Sequence, residues 1–216
     1  MNQQFHNEVS ISVENVVLKG DLIIPASSNA IILFSHGSGS SRFSKRNREV
    51  AEYLQSKNFG TLLLDLLTEV EDTIYSNRFN IDLLAKRLAG ATAWLEKFPA
   101  AKNHRIGYFG ASTGAASALQ AAAQLPEIAA VVSRGGRPDL AMNYLEQVSA
   151  PTLLIVGSLD KYVIQLNEKA YHRLNCTKEL VIVEGASHLF EEAGKMDKVS
   201  RLATSWFEKY LQPINV

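Results

Sequence analysis

Short apolar runs alternate with longer segments of helical spacing along the chain. Each run is four or five residues long, which is typical of strands buried on both faces of a sheet. Because helical segments separate the runs, the pattern predicts an α/β fold, with a mostly parallel sheet covered by helices on both faces. The runs cover residues 30–34, 61–64, 106–109, 128–132, 152–156 and 180–183.

The first residues follow a different pattern. Residues 9–13 alternate between apolar and polar side chains, and a second extended run covers residues 16–24 before Pro25. This predicts an antiparallel hairpin at one edge of the sheet. With the hairpin included, we expect a sheet of about seven or eight strands.

Helical segments are marked by apolar side chains that recur at i, i+3, i+4 and i+7. They cover residues 81–98, 163–174 and 199–210, and an alanine-rich run covers 115–123. Trp206 belongs to the last apolar stripe, so it is predicted to lie in the core and not in a cofactor site.

Composition narrows the class of protein. The 216 residues fit one domain, residues 1–216, without room for a large cap domain. The 22 basic and 22 acidic residues balance, so the chain lacks the positive charge expected for binding nucleic acid.

One cysteine excludes an intrachain disulfide, and no metal or other cofactor is expected. No apolar stretch approaches a signal peptide or a membrane span, so we predict a cytoplasmic protein, monomeric or homodimeric, that does not bind membranes.

The segment after the run 106–109 carries the clearest catalytic motif. Gly110-Ala111-Ser112-Thr113-Gly114 matches the nucleophile elbow G-x-S-x-G, with an apolar strand before it and an alanine-rich helix after it. Such an elbow places a serine at a sharp strand-to-helix turn, where glycines avoid clashes. The alternative is a serine that caps the helix.

A serine nucleophile needs a base and an acid that orients the base. His188 follows the last predicted strand, and Asp160 follows the strand 152–156, which gives the chain order Ser…Asp…His. The alternatives are a surface histidine and an aspartate that forms a turn or caps a helix. Asp65 and Asp139 are weaker candidates for the acid, because they precede the elbow or follow it too soon.

The oxyanion hole needs two backbone donors. We predict the N–H groups of Thr113 and of Ser38, which lies in the glycine-rich loop after the strand 30–34. Gly37 and Gly39 in that loop would let the backbone approach a substrate, and His36 is predicted to brace the loop. A phosphate loop is the other interpretation, but the lysine and spacing of a Walker motif are missing.

Two arginines are candidates for binding substrate. Arg78 lies in the segment 66–80, predicted to form a small flap beside the site, and Arg134 follows the strand 128–132. An arginine there would favour a carboxylate or phosphate on the substrate. Alternatively, these arginines pair with acids such as Asp139.

These motifs together resemble the α/β-hydrolase superfamily, and more narrowly its dienelactone hydrolase-related branch, which includes members fused to phosphoribosyltransferase domains. The resemblance implies the α/β-hydrolase fold and an esterase-type activity. Dienelactone hydrolases proper carry a cysteine at the elbow, where this chain has Ser112. The resemblance is carried by residues 34–40, 64–68, 78–81, 110–114, 133–139 and 187–191.

The sequence therefore predicts a serine hydrolase that cleaves a small ester, thioester or lactone through an acyl-enzyme. Two other functions fit the same residues. One is a cofactor-free perhydrolase or acyltransferase that uses the same three side chains. The other is a ligand-binding protein on a hydrolase scaffold, which would have no need of Ser112, Asp160 and His188 together.

Overall fold

One eight-stranded sheet organises the molecule. The computed structural model describes residues 3–211. The strands are β1 (Gln3–Val13), β2 (Val16–Pro25), β3 (Ala30–Ser35), β4 (Gly60–Leu64), β5 (Arg105–Ala111), β6 (Ala130–Arg134), β7 (Thr152–Gly157) and β8 (Lys178–Val183). Their order in space is β1-β2-β4-β3-β5-β6-β7-β8. β2 pairs antiparallel with β1 and β4, and the remaining pairs are parallel.

Among residues 3–211, six α-helices surround the sheet. They are α1 (Lys45–Ser56), α2 (Glu69–Asp72), α3 (Ile81–Lys97), α4 (Thr113–Gln124), α5 (Lys161–Arg173) and α6 (Lys195–Leu211). Helices α3, α4 and α5 pack with one hydrophobic cluster, and α1 and α6 pack with a second. Within the described range, no helix is both long enough and apolar enough to cross a bilayer.

Strand β3 shows how the apolar runs build this arrangement. Its side chains alternate between the two clusters, with Ile31 and Leu33 in the first and Ile32 and Phe34 in the second. All four are buried. A continuous apolar run is thus required because both faces of the strand are covered.

The predicted α/β class, with its antiparallel N-terminal edge and helices on both faces, is confirmed. Trp206 lies in the core, as its helical spacing predicts. The start of β6 and the presence of helix α1 differ from the sequence patterns. β6 begins at Ala130, because Ile128 closes a turn by donating its N–H to the carbonyl of Leu125. Helix α1 was not predicted, since few of its positions are apolar.

Candidate active site

Ser112 occupies a strained turn between β5 and α4. Its backbone has φ 52° and ψ −122°, a conformation that non-glycine residues rarely adopt and that is costly unless the surroundings impose it. The Ser112 N–H donates to the carbonyl of Arg134 at 3.2 Å, and its own carbonyl accepts from the N–H of Ala115 and of Arg137. Its side chain makes no capping hydrogen bond to the helix, so the capping alternative is wrong.

Both glycines of the elbow are required by close backbone contacts. A side chain on Gly114 would overlap the carbonyl oxygen of Ser35. A side chain on Gly110 would overlap the backbone of Ala115 at the start of α4. These approaches let the helix begin directly after Ser112.

We expect Gly114→Ala to lower the free energy of unfolding by at least about 3 kcal/mol, because the added methyl group would meet rigid backbone. Gly20→Ala is the matched comparison. There the nearest atom is a methyl group of Leu62, which can move, so the loss should be smaller. Denaturant unfolding of both variants measures the difference, and equal losses would contradict the proposed tightness of the elbow.

His188 and Asp160 are held together by two adjoining loops. The Nδ1–H of His188 donates to a carboxylate oxygen of Asp160 at 2.6 Å. The loops after β7 and β8 are joined by backbone hydrogen bonds, including one from the Leu159 N–H to the Ala186 carbonyl. A side chain on Gly157 would overlap that same carbonyl, so only glycine allows the two loops to approach this closely.

The contacts of the Asp160 carboxylate distinguish between an acid that orients His188 and a residue that only caps a helix. Asp160 occupies the capping position of α5, yet its side chain makes no capping hydrogen bond. The carboxylate instead contacts His188, and its side chain is only 16% exposed. Asp139, the rival acid, pairs with Arg137. The carboxylate of Asp65, the other rival, accepts from the backbone N–H and the side-chain Nε–H of Arg42.

Ser112 and His188 line the same cleft, which has a volume of about 260 Å³. No hydrogen bond joins their side chains in the part of the chain that the structure describes, so the expected contact between base and serine is not made here. Catalytic hydrogen bonds are often longer before substrate binds. Three larger clefts, of about 460, 360 and 510 Å³, lie beside Trp94, Glu192 and Glu52 and contain neither residue.

The two residues that carry the predicted oxyanion donors, Ser38 and Thr113, contact each other. The Ser38 N–H donates to the Thr113 Oγ1 at 2.8 Å, so a substrate oxygen would have to share or replace that acceptor. Thr113 is the first residue of α4, where backbone N–H groups lack partners within the helix. Gly37 lies so close to the elbow that an added Cβ would be 3.2 Å from the Ser112 Cβ.

His36 braces this loop, as predicted. Its Nε2 accepts from the Leu66 N–H at 3.1 Å, and its Nδ1–H therefore donates to the Gly37 carbonyl at 2.9 Å. The bond from the Leu66 N–H requires the neutral ring, because a protonated Nε2 cannot accept. Burial lowers the pKa of His36 below its ordinary value of 6.5, although the Gly37 carbonyl and the nearby Asp65 oppose that shift.

His36 should make the stability of the protein sensitive to acid. Its folded pKa lies below the unfolded value, so its contribution is complete above pH 6.5 and is lost as the pH falls. We expect the free energy of unfolding to fall less steeply between pH 7.5 and 5.5 in His36→Gln than in wild type. Denaturant titrations at both pH values test this, with the exposed His172→Gln as control. Equal slopes in wild type and His36→Gln would contradict the prediction.

The arginines near the cleft differ in their partners. Arg78 pairs with Asp72 through two hydrogen bonds and does not line the cleft, so the acid-pairing alternative is correct for it. Arg134 does line the cleft, is 4% exposed, and donates to the Asn47 Oδ1 at 3.1 Å. Burial, with a smaller effect from Arg46, lowers the pKa of Arg134 to about 10, so it remains charged at neutral pH.

Sequence reasoning missed the start of helix α1. Ser40, Ser44, Arg46 and Asn47 all line the cleft, while Gly39 does not. The available signal was Ser44 itself, which caps α1 by accepting from the Asn47 N–H.

Cys176 lies far from these groups. Its Sγ is 3.7 Å from the hydroxyl of Thr152. Thr152 is the first residue of β7 and lies at the amino ends of the parallel strands, whereas Ser112 follows the carboxyl end of β5. Burial raises the pKa of the thiol, which disfavours the thiolate that a cysteine nucleophile needs. Among the described residues, no group of His, Cys, Asp and Glu side chains could hold a metal ion.

Comparison with known proteins identifies close relatives. The dienelactone hydrolase family model matches residues 22–212. The crystal structure of a dienelactone hydrolase from Anabaena variabilis ATCC 29413 is 54% identical, covers 98% of this chain and 100% of its own, and has a TM-score of 0.95. A protein of Mycobacterium tuberculosis named "Putative phosphoribosyl transferase" is 49% identical over 205 residues, which are 94% of this chain. The match covers 46% of that protein, so the chain spans about half the length of its curated relatives.

More distant structures share the architecture. The protein Est1E from Butyrivibrio proteoclasticus is 14% identical with a TM-score of 0.80, over 94% of this chain and 98% of its own. The esterase Pf2001 from Pyrococcus furiosus is 20% identical with a TM-score of 0.80, over 96% of this chain and 92% of its own. At this identity the likeness concerns the fold alone.

Proposed function

The chain belongs to the dienelactone hydrolase family and has the α/β-hydrolase fold, and we propose that it hydrolyses a small ester, thioester or lactone through an acyl-enzyme on Ser112. The observation that carries the proposal is the meeting of three features in one place. Ser112 is held at a strained turn with its side chain unused by the helix. It shares a cleft with His188, whose other ring nitrogen is bound to Asp160.

In the first half of the proposed reaction, Ser112 Oγ attacks the carbonyl carbon of the substrate. His188 Nε2 accepts the hydroxyl proton, while Asp160 holds the ring through Nδ1–H and stabilises the imidazolium that forms. The tetrahedral oxyanion accepts hydrogen bonds from the Thr113 N–H and from the Ser38 N–H, once the Thr113 hydroxyl has turned away from the Ser38 N–H. The C–O or C–S bond then breaks, and His188 returns the proton to the leaving group.

In the second half, water replaces the leaving group. His188 takes a proton from the water as its oxygen attacks the acyl carbon, and then protonates Ser112 Oγ as the acyl–serine bond breaks. The His188 side chain is 37% exposed, so water has access to the base. The products are a carboxylic acid and an alcohol or thiol, or one hydroxy acid when the substrate is a lactone.

The size of the cleft supports a small substrate. Its volume of about 260 Å³ lies below the ~300–1,000 Å³ typical of sites for drug-sized ligands. The segment 66–80, which the sequence predicts to form a small flap, consists of helix α2 and a turn at Tyr75–Phe79. The activity in the name of the M. tuberculosis relative is not assigned to this chain, because more than half of that protein lies outside the match.

Steady-state hydrolysis of 4-nitrophenyl acetate and of a small lactone tests the activity. We expect turnover in wild type, with a rapid first release of 4-nitrophenol if deacylation is the slower step. Adding methanol or hydrogen peroxide as a competing acceptor distinguishes hydrolysis from acyl transfer and perhydrolysis. If free acid stays the main product, the chain is a hydrolase. A folded protein without turnover would favour a ligand-binding function.

A further inference from the structure

One end of the cleft beside Ser112 carries unbalanced positive charge. No Asp or Glu is among the described residues that line the cleft, whereas Arg134 and Arg46 both line it. Arg46 has an outward partner, since its Nη1 donates to Glu191 at 2.9 Å. For Arg134, the described part of the chain offers no acid within ion-pair distance.

Arg134 is unusual because a buried charge is costly unless it is paired. The side chain is 96% buried, and its one hydrogen bond is to the neutral amide oxygen of Asn47. Its Nε has no partner, and neither does the buried Nε of Arg46. Each guanidinium group therefore has a buried Nε–H without a partner, and no carboxylate is among the described residues that line the cleft with them.

Helix α1 adds to this positive region. Its first turn faces the cleft through Ser44, Arg46 and Asn47, and that turn contains no acidic residue. The N-terminus of a twelve-residue helix favours a bound anion through its unpaired N–H groups and its dipole. The Ser40 and Ser44 side chains also line this end and can donate further hydrogen bonds.

We propose that Arg134, Arg46 and the first turn of α1 form a subsite for a phosphate group on the ester or lactone substrate. This inference rests on the proposed function for the identity of the substrate, although the subsite itself can be tested without it. A carboxylate has two oxygens and one charge, and one guanidinium satisfies it. A phosphate monoester presents three strong acceptor oxygens and close to two charges, which matches two arginines, two hydroxyls and a helix N-terminus.

The position of the subsite gives it a role in orienting the substrate. Arg134 lies opposite Ala111 in the pairing of β6 with β5, and Ala111 is the residue directly before Ser112. An anion bound there would be a neighbour of Ser112. Binding the phosphate would therefore hold the scissile carbonyl of a compact substrate near Ser112 Oγ.

Calorimetric titration with inorganic phosphate tests the subsite directly. We expect saturable binding to wild type. The dissociation constant should be about 10- to 100-fold higher for Arg134→Met, because the variant loses hydrogen bonds to a charged group. Arg134→Lys keeps the charge and should bind with intermediate affinity, which covers the case in which Arg134→Met does not fold. Arg137→Met is the matched control, because that arginine pairs with Asp139 outside the cleft. Acetate at the same ionic strength should bind at least 10-fold more weakly than phosphate.

Three results would overturn the proposal. In the first, wild type does not bind phosphate. In the second, wild type and both Arg134 variants bind phosphate equally. In the third, acetate binds as tightly as phosphate. Ser112→Ala separates this inference from the proposed function. We expect that variant to bind phosphate like wild type although it no longer cleaves esters. In wild type, failure of ester cleavage with intact phosphate binding would count against the hydrolase mechanism alone. Ester cleavage without phosphate binding would count against the subsite alone.

Discussion

Replacing Ser112 by alanine is expected to lower kcat for ester hydrolysis by roughly 10⁴- to 10⁶-fold, the range found when a serine nucleophile is removed from a triad. The hydroxyl supplies the atom that forms the acyl-enzyme, and the alanine variant lacks any group to replace it. Binding and the oxyanion donors would leave some residual rate. The measurement is steady-state hydrolysis of 4-nitrophenyl acetate, with circular dichroism to verify that the variant is folded.

Cys176→Ala is the matched control for this experiment. The family resemblance makes a cysteine nucleophile the main rival, and Cys176 is the one thiol in the chain. Its place at the amino ends of the parallel strands predicts that the control keeps wild-type kcat. Loss of activity in Cys176→Ala together with an active Ser112→Ala would reverse the assignment.

Asp160→Asn is expected to lower kcat by about 10³- to 10⁴-fold while leaving the fold intact. The 2.6 Å hydrogen bond to His188 Nδ1–H requires an acceptor, and the carboxylate also stabilises the imidazolium. An amide in that place can donate to Nδ1, which would put the ring proton on Nε2 and remove the base. The effect is measured as kcat together with the pH dependence of kcat/KM.

Asp139→Asn provides the matched control, because Asp139 is the other aspartate that follows the elbow closely and it pairs with Arg137. That variant should keep its activity within a few-fold. If Asp139→Asn loses more activity than Asp160→Asn, the acid has been assigned to the wrong strand end.

The fold was predictable because the β-strands are buried on both faces. Ile31 and Leu33 pack on one side and Ile32 and Phe34 on the other, so a strand of this kind must be apolar at every position. Helix α1 was less accessible to the same reasoning. Its buried face has helical spacing, but that face includes the polar Asn47 and Gln55 beside Val50, Ala51 and Leu54, so few apolar residues mark the helix in the sequence.

The candidate site was predictable where the chain order and local motif agree. Ser112, Asp160 and His188 each follow a strand, and the carboxyl ends of parallel strands meet at one edge of the sheet. Side-chain pairing could not be predicted in this way. Arg78 and Arg134 look equivalent in the sequence. In the structure Arg78 pairs with Asp72, which lies six residues earlier in the chain, whereas Arg134 is buried and donates a hydrogen bond to Asn47. That difference depends on the packing of α1 against the sheet.

The Ser38–Thr113 contact is a second feature that only three dimensions reveal. The residues are 75 positions apart, and the hydrogen bond joins the glycine-rich loop to the start of α4. It holds the two predicted oxyanion donors beside each other before substrate binds. The resting arrangement therefore differs from the one that the proposed reaction needs in two contacts. The Thr113 hydroxyl must turn away from the Ser38 N–H, and His188 must come within hydrogen-bond distance of the Ser112 hydroxyl.

The most direct test of the account is to locate the residue modified by a fluorophosphonate, using peptide mass spectrometry on the folded protein. The reagent forms a stable adduct with an activated serine, which needs both the elbow and a working base. We predict a single adduct on Ser112, which is lost in Ser112→Ala and strongly reduced in His188→Ala. An adduct on another residue, or a folded protein that forms none, would contradict the proposal that Ser112 is an activated nucleophile.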